Sequence, residues 1–222
     1  GQALSISGLT RIGGDDTGVS DNGDGTLTVD PSFYSDLSVG ESEVITYSYA
    51  VTDTEGGGIL HTATITITGE NNQPVAVDII TAATEDGPQV IEGFNATDND
   101  VTDNANLTFS IIDQPSEGSV SINPTDGTQF IFEPGADFQD LAAGDTRNIT
   151  FTYAADEGRG LDNSISNTAT VTITVTGVND APVATGDDFT TEEGTPFTTG
   201  NVLNNDTDVD NGSPITDTGI DD

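Results

Sequence analysis

The sequence predicts an all-β chain built from tandem β-sandwiches. Three observations carry this. Apolar and polar residues alternate in short runs, Asx-Gly turns separate the runs, and the runs recur about 102–108 residues apart. No segment sustains a 3.6-residue apolar period over three turns, so no long helix is expected.

Taken in order, the first run is LSISGL from Leu4, which matches LTFSII, Leu107 to Ile112. Asn22-Gly23 and Asp24-Gly25 read as hairpin turns, and the DGT at Asp24 recurs at Asp126. Ile45, Tyr47, Tyr49 and Val51 place a large apolar side chain at every second position, the mark of a half-buried strand. ITFTYAA, Ile149 to Ala155, repeats that pattern. In HTATITITG, Thr62, Thr64, Thr66 and Thr68 face one way while Ala63, Ile65 and Ile67 face the other. The β-branched Thr suits the solvent face of a pleat. NTATVTITVTG, Asn167 to Gly177, is its echo. The linker NNQPVA at Asn71 returns as NDAPVA at Asn179, and DNDV at Asp98 returns as DTDV at Asp206. The expected division is an incomplete repeat over 1–72, a complete one over 73–180, and the opening segment of a third over 181–222.

The 222 residues carry a formal charge of −36, with three Arg and no Lys. Nucleic acid and anionic membrane surfaces both require clustered cations, so both are excluded as partners. Leu, Ile, Val and Phe make up about 23% of the chain, only just above the disorder boundary of about 20%. The core must be lean, and a bound cation would offset the carboxylate repulsion. There is no Cys and only one His, His61, which removes disulfides and the usual zinc sites. No apolar run approaches the roughly 18 residues of a membrane span. No initiator Met or signal-like stretch opens the sequence, which predicts a processed chain or a fragment. A cysteine-free, Lys-free, Thr-rich acidic chain fits a secreted bacterial surface protein.

The candidate chemistry lies in paired carboxylates and Asn: Asp53 and Glu55; Asn71 and Asn72; Glu85 and Asp86; Asp98 and Asp100; Asp156 and Glu157; Asn179 and Asp180; Glu192 and Glu193; Asp206, Asp208 and Asp210. Calcium takes six to eight oxygens from carboxylates, amides and carbonyls, and acids one residue apart in a turn can converge on one ion. Each pair lies at a strand end or in a linker, beside Gly, Asn or Pro, and the pairs recur with the repeat.

TATITITGENNQPVA, TATVTITVTGVNDAPVA, and NNDTDVD after TEEGTP resemble the cadherin-like and VCBS-type tandem repeats of large secreted, RTX-like bacterial adhesins. That resemblance implies Ig-like or cadherin-like Greek-key sandwiches joined by short Pro-containing linkers. It also implies Ca²⁺ at the junctions, stiffening the array. Carried over by position, the first junction would use Asp53, Glu55, Asn72, Asp98 and Asp100. The second would use Glu85, Asp156, Glu157, Asn179, Asp180, Asp206 and Asp208. The departure is GENNQP, which holds Asn72 where the second linker holds Asp180, one charge fewer.

Other features read as structure. Most acids are solvated surface, His61 is an exposed polar residue ahead of a strand, and Tyr47, Tyr49, Phe151 and Tyr153 pack the core. Asp15-Asp16 after Gly13-Gly14 is similar to glycine-rich calcium repeats, but in a single copy it reads as a loop. The leading function is therefore a non-catalytic, calcium-stabilised extender of an extracellular adhesin or surface filament. The alternatives are a sugar- or peptide-binding module and, behind it, a glycosidase built on paired acids. A single active site would not recur with the repeat period, and no Trp is present to line a sugar subsite. Finally, the first copy starts at the equivalent of Leu107, so its opening strand is expected from elsewhere. The segment from Pro182 onward is expected to supply such a strand head-to-tail, from a neighbouring repeat or another copy.

Overall fold

The computed structural model describes residues 3–210. It is nearly all β, with strands where the period-2 runs lie. They are β1 (Leu4–Gly13), β2 (Val19–Asp21), β3 (Leu27–Val29), β4 (Ser42–Asp53), β5 (Gly58–Thr68), β6 (Val75–Ala76) and β7 (Ile79–Thr84). There follow β8 (Val90–Gly93), β9 (Ala96–Thr97), the four-residue helix α1 (Val101–Asn104), β10 (Thr108–Asp113), β11 (Ser119–Ile122), β12 (Gln129–Glu133), β13 (Thr146–Asp156) and β14 (Ala169–Thr176). A 3₁₀ turn, Pro31–Tyr34, is capped by the Asp30 carboxylate and precedes β4. No described helix is long and apolar enough to cross a membrane.

The chain divides into two compact units. Unit 1 comprises Gly1–Ala76, Ala96–Thr108 and Ala155–Asn167; unit 2 comprises Val77–Asn95, Phe109–Ala154 and Thr168–Asp222.

In unit 1, the antiparallel sheet runs β1–β4–β5, and β2 and β3 form the hairpin at the Asn22–Gly25 turns. Ser42 pairs with Thr68 and Thr52 with Gly58, so Ile45 and Tyr47 face inward beside Ile65 and Ile67 while the Thr row faces water. Tyr34, Ile45 and Tyr47 are buried, with Leu9, Val19, Leu27 and Leu37 packed on them. The buried hydroxyls find partners: Tyr47 donates to Asp16 and Tyr34 to the Asp15 carbonyl. Asp16 also pairs with Arg11, so the Gly-Gly-Asp-Asp segment is a structural loop. His61 lies inside β5 rather than ahead of it, exposed, with its ring 6.3 Å from that of Tyr49.

In unit 2, β10, β13, β14 and β7 form one sheet and β11, β12 and β8 another. Ile149, Phe151, Tyr153, Val171, Ile173 and Val175 are buried, as are Phe130, Phe132 and Phe138, and the Phe151 ring meets that of Phe130 edge-on with centroids 5.1 Å apart. The Tyr153 hydroxyl sits between the carbonyls of Val77 (2.6 Å) and Asn95 (2.8 Å). β7 runs parallel to β14, Val171 opposite Ile79 through Thr176 opposite Thr84, and so covers the outer edge of β14. Each long hairpin leaves its sheet through a glycine that touches backbone. A Cβ on Gly69 would stand 2.2 Å from the Ser38 carbonyl, and one on Gly177 2.4 Å from that of Ala142. Only Gly fits there.

Candidate metal centres

Two buried acidic groups stand out among the described residues, one at each linker. In unit 1, carboxylate oxygens of Asp98, Asp100 and Glu157 lie within 4.8 Å of one another; in unit 2, those of Glu85, Asp180 and Asp210 do the same.

Local chain geometry builds both. After β9, the Asp98 carboxylate accepts from the Asp100 N–H (2.8 Å), a side-chain turn that brings both acids to one side. Asp208 does the same for the Asp210 N–H (3.0 Å). The Asn72 N–H then bonds Asp100 (3.0 Å), and the Asp180 N–H bonds Asp210 (3.1 Å). In both linkers the preceding Asn donates its amide to the next carbonyl, Asn71 to Asn72 and Asn179 to Asp180. Glu157 follows the end of β13, its N–H held by the Ser164 carbonyl. Glu85 follows β7, its N–H on the Thr176 carbonyl and one carboxylate oxygen taking the Val178 N–H.

The electrostatics are unfavourable as they stand. Glu85, Asp100, Glu157 and Asp210 are each at most 5% exposed. One oxygen each of Asp98, Glu85, Asp180 and Asp210, both of Glu157, and the Asn71 amide oxygen are buried and meet no hydrogen-bond donor. Burial pushes the Glu85, Asp98, Glu157 and Asp180 carboxyls above their ordinary range, and neighbouring carboxylates push them further. The Val178 N–H counters part of the rise at Glu85. Each such orphan costs about 1–3 kcal/mol, more when charged. A hard divalent cation satisfies several at once: one calcium, 2.3–2.6 Å from each ligand, joins oxygens up to about 5 Å apart. The donor set, all oxygen, fits calcium and gives nothing to a soft metal.

The other sequence candidates lie as follows. Asp53 and Glu55 are not brought to the first group. Asp53 closes the β4–β5 turn, accepting from the N–H groups of Glu55 and Gly57, while the first linker leaves from the opposite end of that hairpin. Asp156 takes the Gly158 N–H and lies outside the group that Glu157 joins. Glu157, assigned by sequence to the second junction, joins Asp98 and Asp100 instead. Asp206 accepts from the Thr185 N–H, and Asp208 orients Asp210. Asp210 is the residue that sequence reasoning left out of the second junction. The signal lay in T-D-x-D: Thr97 pairs with Val75 and Thr207 with Val183, so Asp98 corresponds to Asp208 and Asp100 to Asp210.

A family model described as "Bacterial Ig domain" matches residues 71–176 and again 179–222. The chain belongs to this family. Both matches open on the Asn of the recurring Asn-x-x-Pro segment, Asn71 and Asn179. No curated protein sequence matches the chain. Solved structures similar to it include the human desmocollin-1 ectodomain (16% identity, 82% of this chain and 36% of that one, TM-score 0.41). Mouse cadherin-23 EC22-24 is also similar (19%, 80% and 56%, TM-score 0.47), as is Drosophila N-cadherin EC1-4 (16%, 80% and 42%, TM-score 0.45). The chain thus spans 36% of the length of the first and 56% of the second.

Proposed function

We propose that the chain is a calcium-stabilised, non-catalytic extender of an extracellular bacterial adhesin or surface filament, dividing into repeats at 1–72, 73–180 and 181–222. The observation that carries this reading is the pair of buried acidic groups, each at a linker and each with oxygens that meet no donor. Calcium there would join Asn71, Asp98 and Glu157 in one group, and Glu85, Asp180 and Asp210 in the other. It would supply structural charge compensation, and the recurrence of a buried acidic group at both linkers suits a spacer better than a single active site.

The test is thermal. A ligand that binds only the native state adds about 2.7 kcal/mol per site at one hundred times Kd. The melting temperature in several millimolar CaCl₂ should exceed that in excess EDTA by several degrees. Equal values would overturn the reading.

Within this reading the proposed partners are neighbouring repeats or further copies, met head-to-tail. The outer edge of β5 has no strand beside it among the described residues, whereas the equivalent edge of β14 carries β7. TEEG at Thr191 matches TEDG at Thr84, so residues 186–191 stand where β7 stands in the preceding repeat; they are exposed and in no strand. An exposed edge of this kind invites strand addition. Light scattering on the whole chain and on a variant lacking residues 183–222 tests it. Self-association lost on deletion supports the pairing; a chain that is monomeric in both forms at high concentration with calcium refutes it.

A further inference from the structure

The two linkers treat equivalent aspartates differently. At the second, Asp210 accepts the Asp180 N–H through one oxygen; its other oxygen and one oxygen of Asp180 are buried without a donor. Two carboxylates face each other there, and neither can donate. At the first, position 180 is replaced by Asn72, and Asp100 has no bare oxygen. The Asn72 N–H takes one (3.0 Å) and the Asn72 amide takes the other (2.9 Å). The second amide hydrogen goes to the Ser35 carbonyl (2.9 Å), so both are used. Asp100 is 0% exposed. A buried carboxylate is thereby satisfied by the chain's own amide, across the same position where the second linker leaves two anions open.

We propose that Asn72 stands in for one cation: the first linker closes on Asp100 with an amide where the second requires an ion between Asp180 and Asp210. The idea rests on the calcium reading above and adds which positions each linker fills. The first group retains a cation position at Asp98 and Glu157, where one oxygen of Asp98 and both of Glu157 stay unpartnered, with the Asn71 amide oxygen also bare. It lacks the position that Asp180 provides. The Asn72 amide bonds are present at any calcium concentration, so the segment after the 3₁₀ turn remains tied to Asp100 when the metal is removed. The second linker has no such bond among the described residues.

Asn72→Asp removes the donor and restores a facing carboxylate. Calcium titration calorimetry on the EDTA-stripped whole chain should then show one more ion per chain than wild type. Its melting temperature in EDTA should fall by a few degrees and recover in calcium. Asn72→Ala should lose stability in EDTA without gaining an ion. The reverse change, Asp180→Asn, should bind one ion fewer than wild type and keeps the test open if Asn72→Asp does not fold. Wild type binding calcium with the same count in Asn72→Asp and Asp180→Asn overturns the substitution of amide for ion and leaves the calcium reading standing. No calcium bound by any of the proteins overturns both.

Discussion

β5 and β14 carry nearly the same sequence and are buried to different depths. In ATVTITVT, Ala169, Val171, Ile173 and Val175 are all buried; in the equivalent of β5, Ala63, Ile65 and Ile67 are only half-buried. The strands before them differ likewise: Ala154 and Ala155 are buried, Ala50 and Val51 half-buried. The reason lies outside these strands. β14 is flanked by β13 and by the parallel β7, and faces a second sheet rich in Phe; β5 is an edge. The alternation sets which face a residue takes. Only the neighbouring strand and the opposing sheet set how much water it loses.

Core truncation sharpens this comparison most. Ile173→Ala removes a fully buried side chain and should cost about 2–5 kcal/mol. Ile65→Ala, at the same position of the other hairpin, should cost about 1–2 kcal/mol, since roughly half the transfer free energy is at stake. Urea unfolding followed by strand-specific hydrogen exchange measures both. Equal costs would mean that the β5 edge is covered in solution, as strand pairing between copies predicts.

A smaller contrast concerns the two tyrosines that anchor their sheets through hydroxyls. Tyr153→Phe leaves the Val77 and Asn95 carbonyls without that partner in the interior and should cost about 1–3 kcal/mol. Tyr47→Phe frees Asp16, which keeps Arg11, and should cost about 1 kcal/mol or less. Thermal melts in calcium distinguish them, and a reversed order would break the contrast.

The smallest effect is with pH. Glu85, Asp98 and Glu157 have carboxyls raised above 4.5, 3.8 and 4.5, so each contributes stability that is full below those values and lost as pH rises through the raised pKa. Asp24 and Asp126, whose carboxylates accept from Thr26 and Thr128, lie below 3.8 and have the opposite sign: their contribution is lost only as pH falls through the lowered pKa. In EDTA the melting temperature should therefore rise as pH drops from about 7 to about 5. In millimolar calcium that rise should flatten, because the ion stabilises the charged forms. Identical slopes with and without calcium would remove the buried carboxylates from the account.

Much of this molecule is local and so legible in the chain. The period of two placed Ile45, Tyr47, Phe151 and Tyr153 in strands, the Asx-Gly pairs placed the hairpin turns, and Asn-x-x-Pro marked both linkers. The acidic sites were legible only in part. Asp98 with Asp100, and Asp208 with Asp210, were visible as short motifs, because a side-chain turn joins residues two apart. Which motifs meet was not. Asp53 and Asp156 occupy similar sequence contexts, but one closes a hairpin and the other precedes the Glu157 that joins the buried acidic group. The choice of Asp210 over Asp206 depended on the pairing of Thr207 with Val183, which shifts the loop by two residues relative to a direct match of DNDV with DTDV. Periodicity and turns act over a few residues, and sequence determines them directly. Convergence of Glu157 on Asp98, or of Asp210 on Glu85, is set by strand register and loop length across about 60 and 125 residues, and only the tertiary structure decides it.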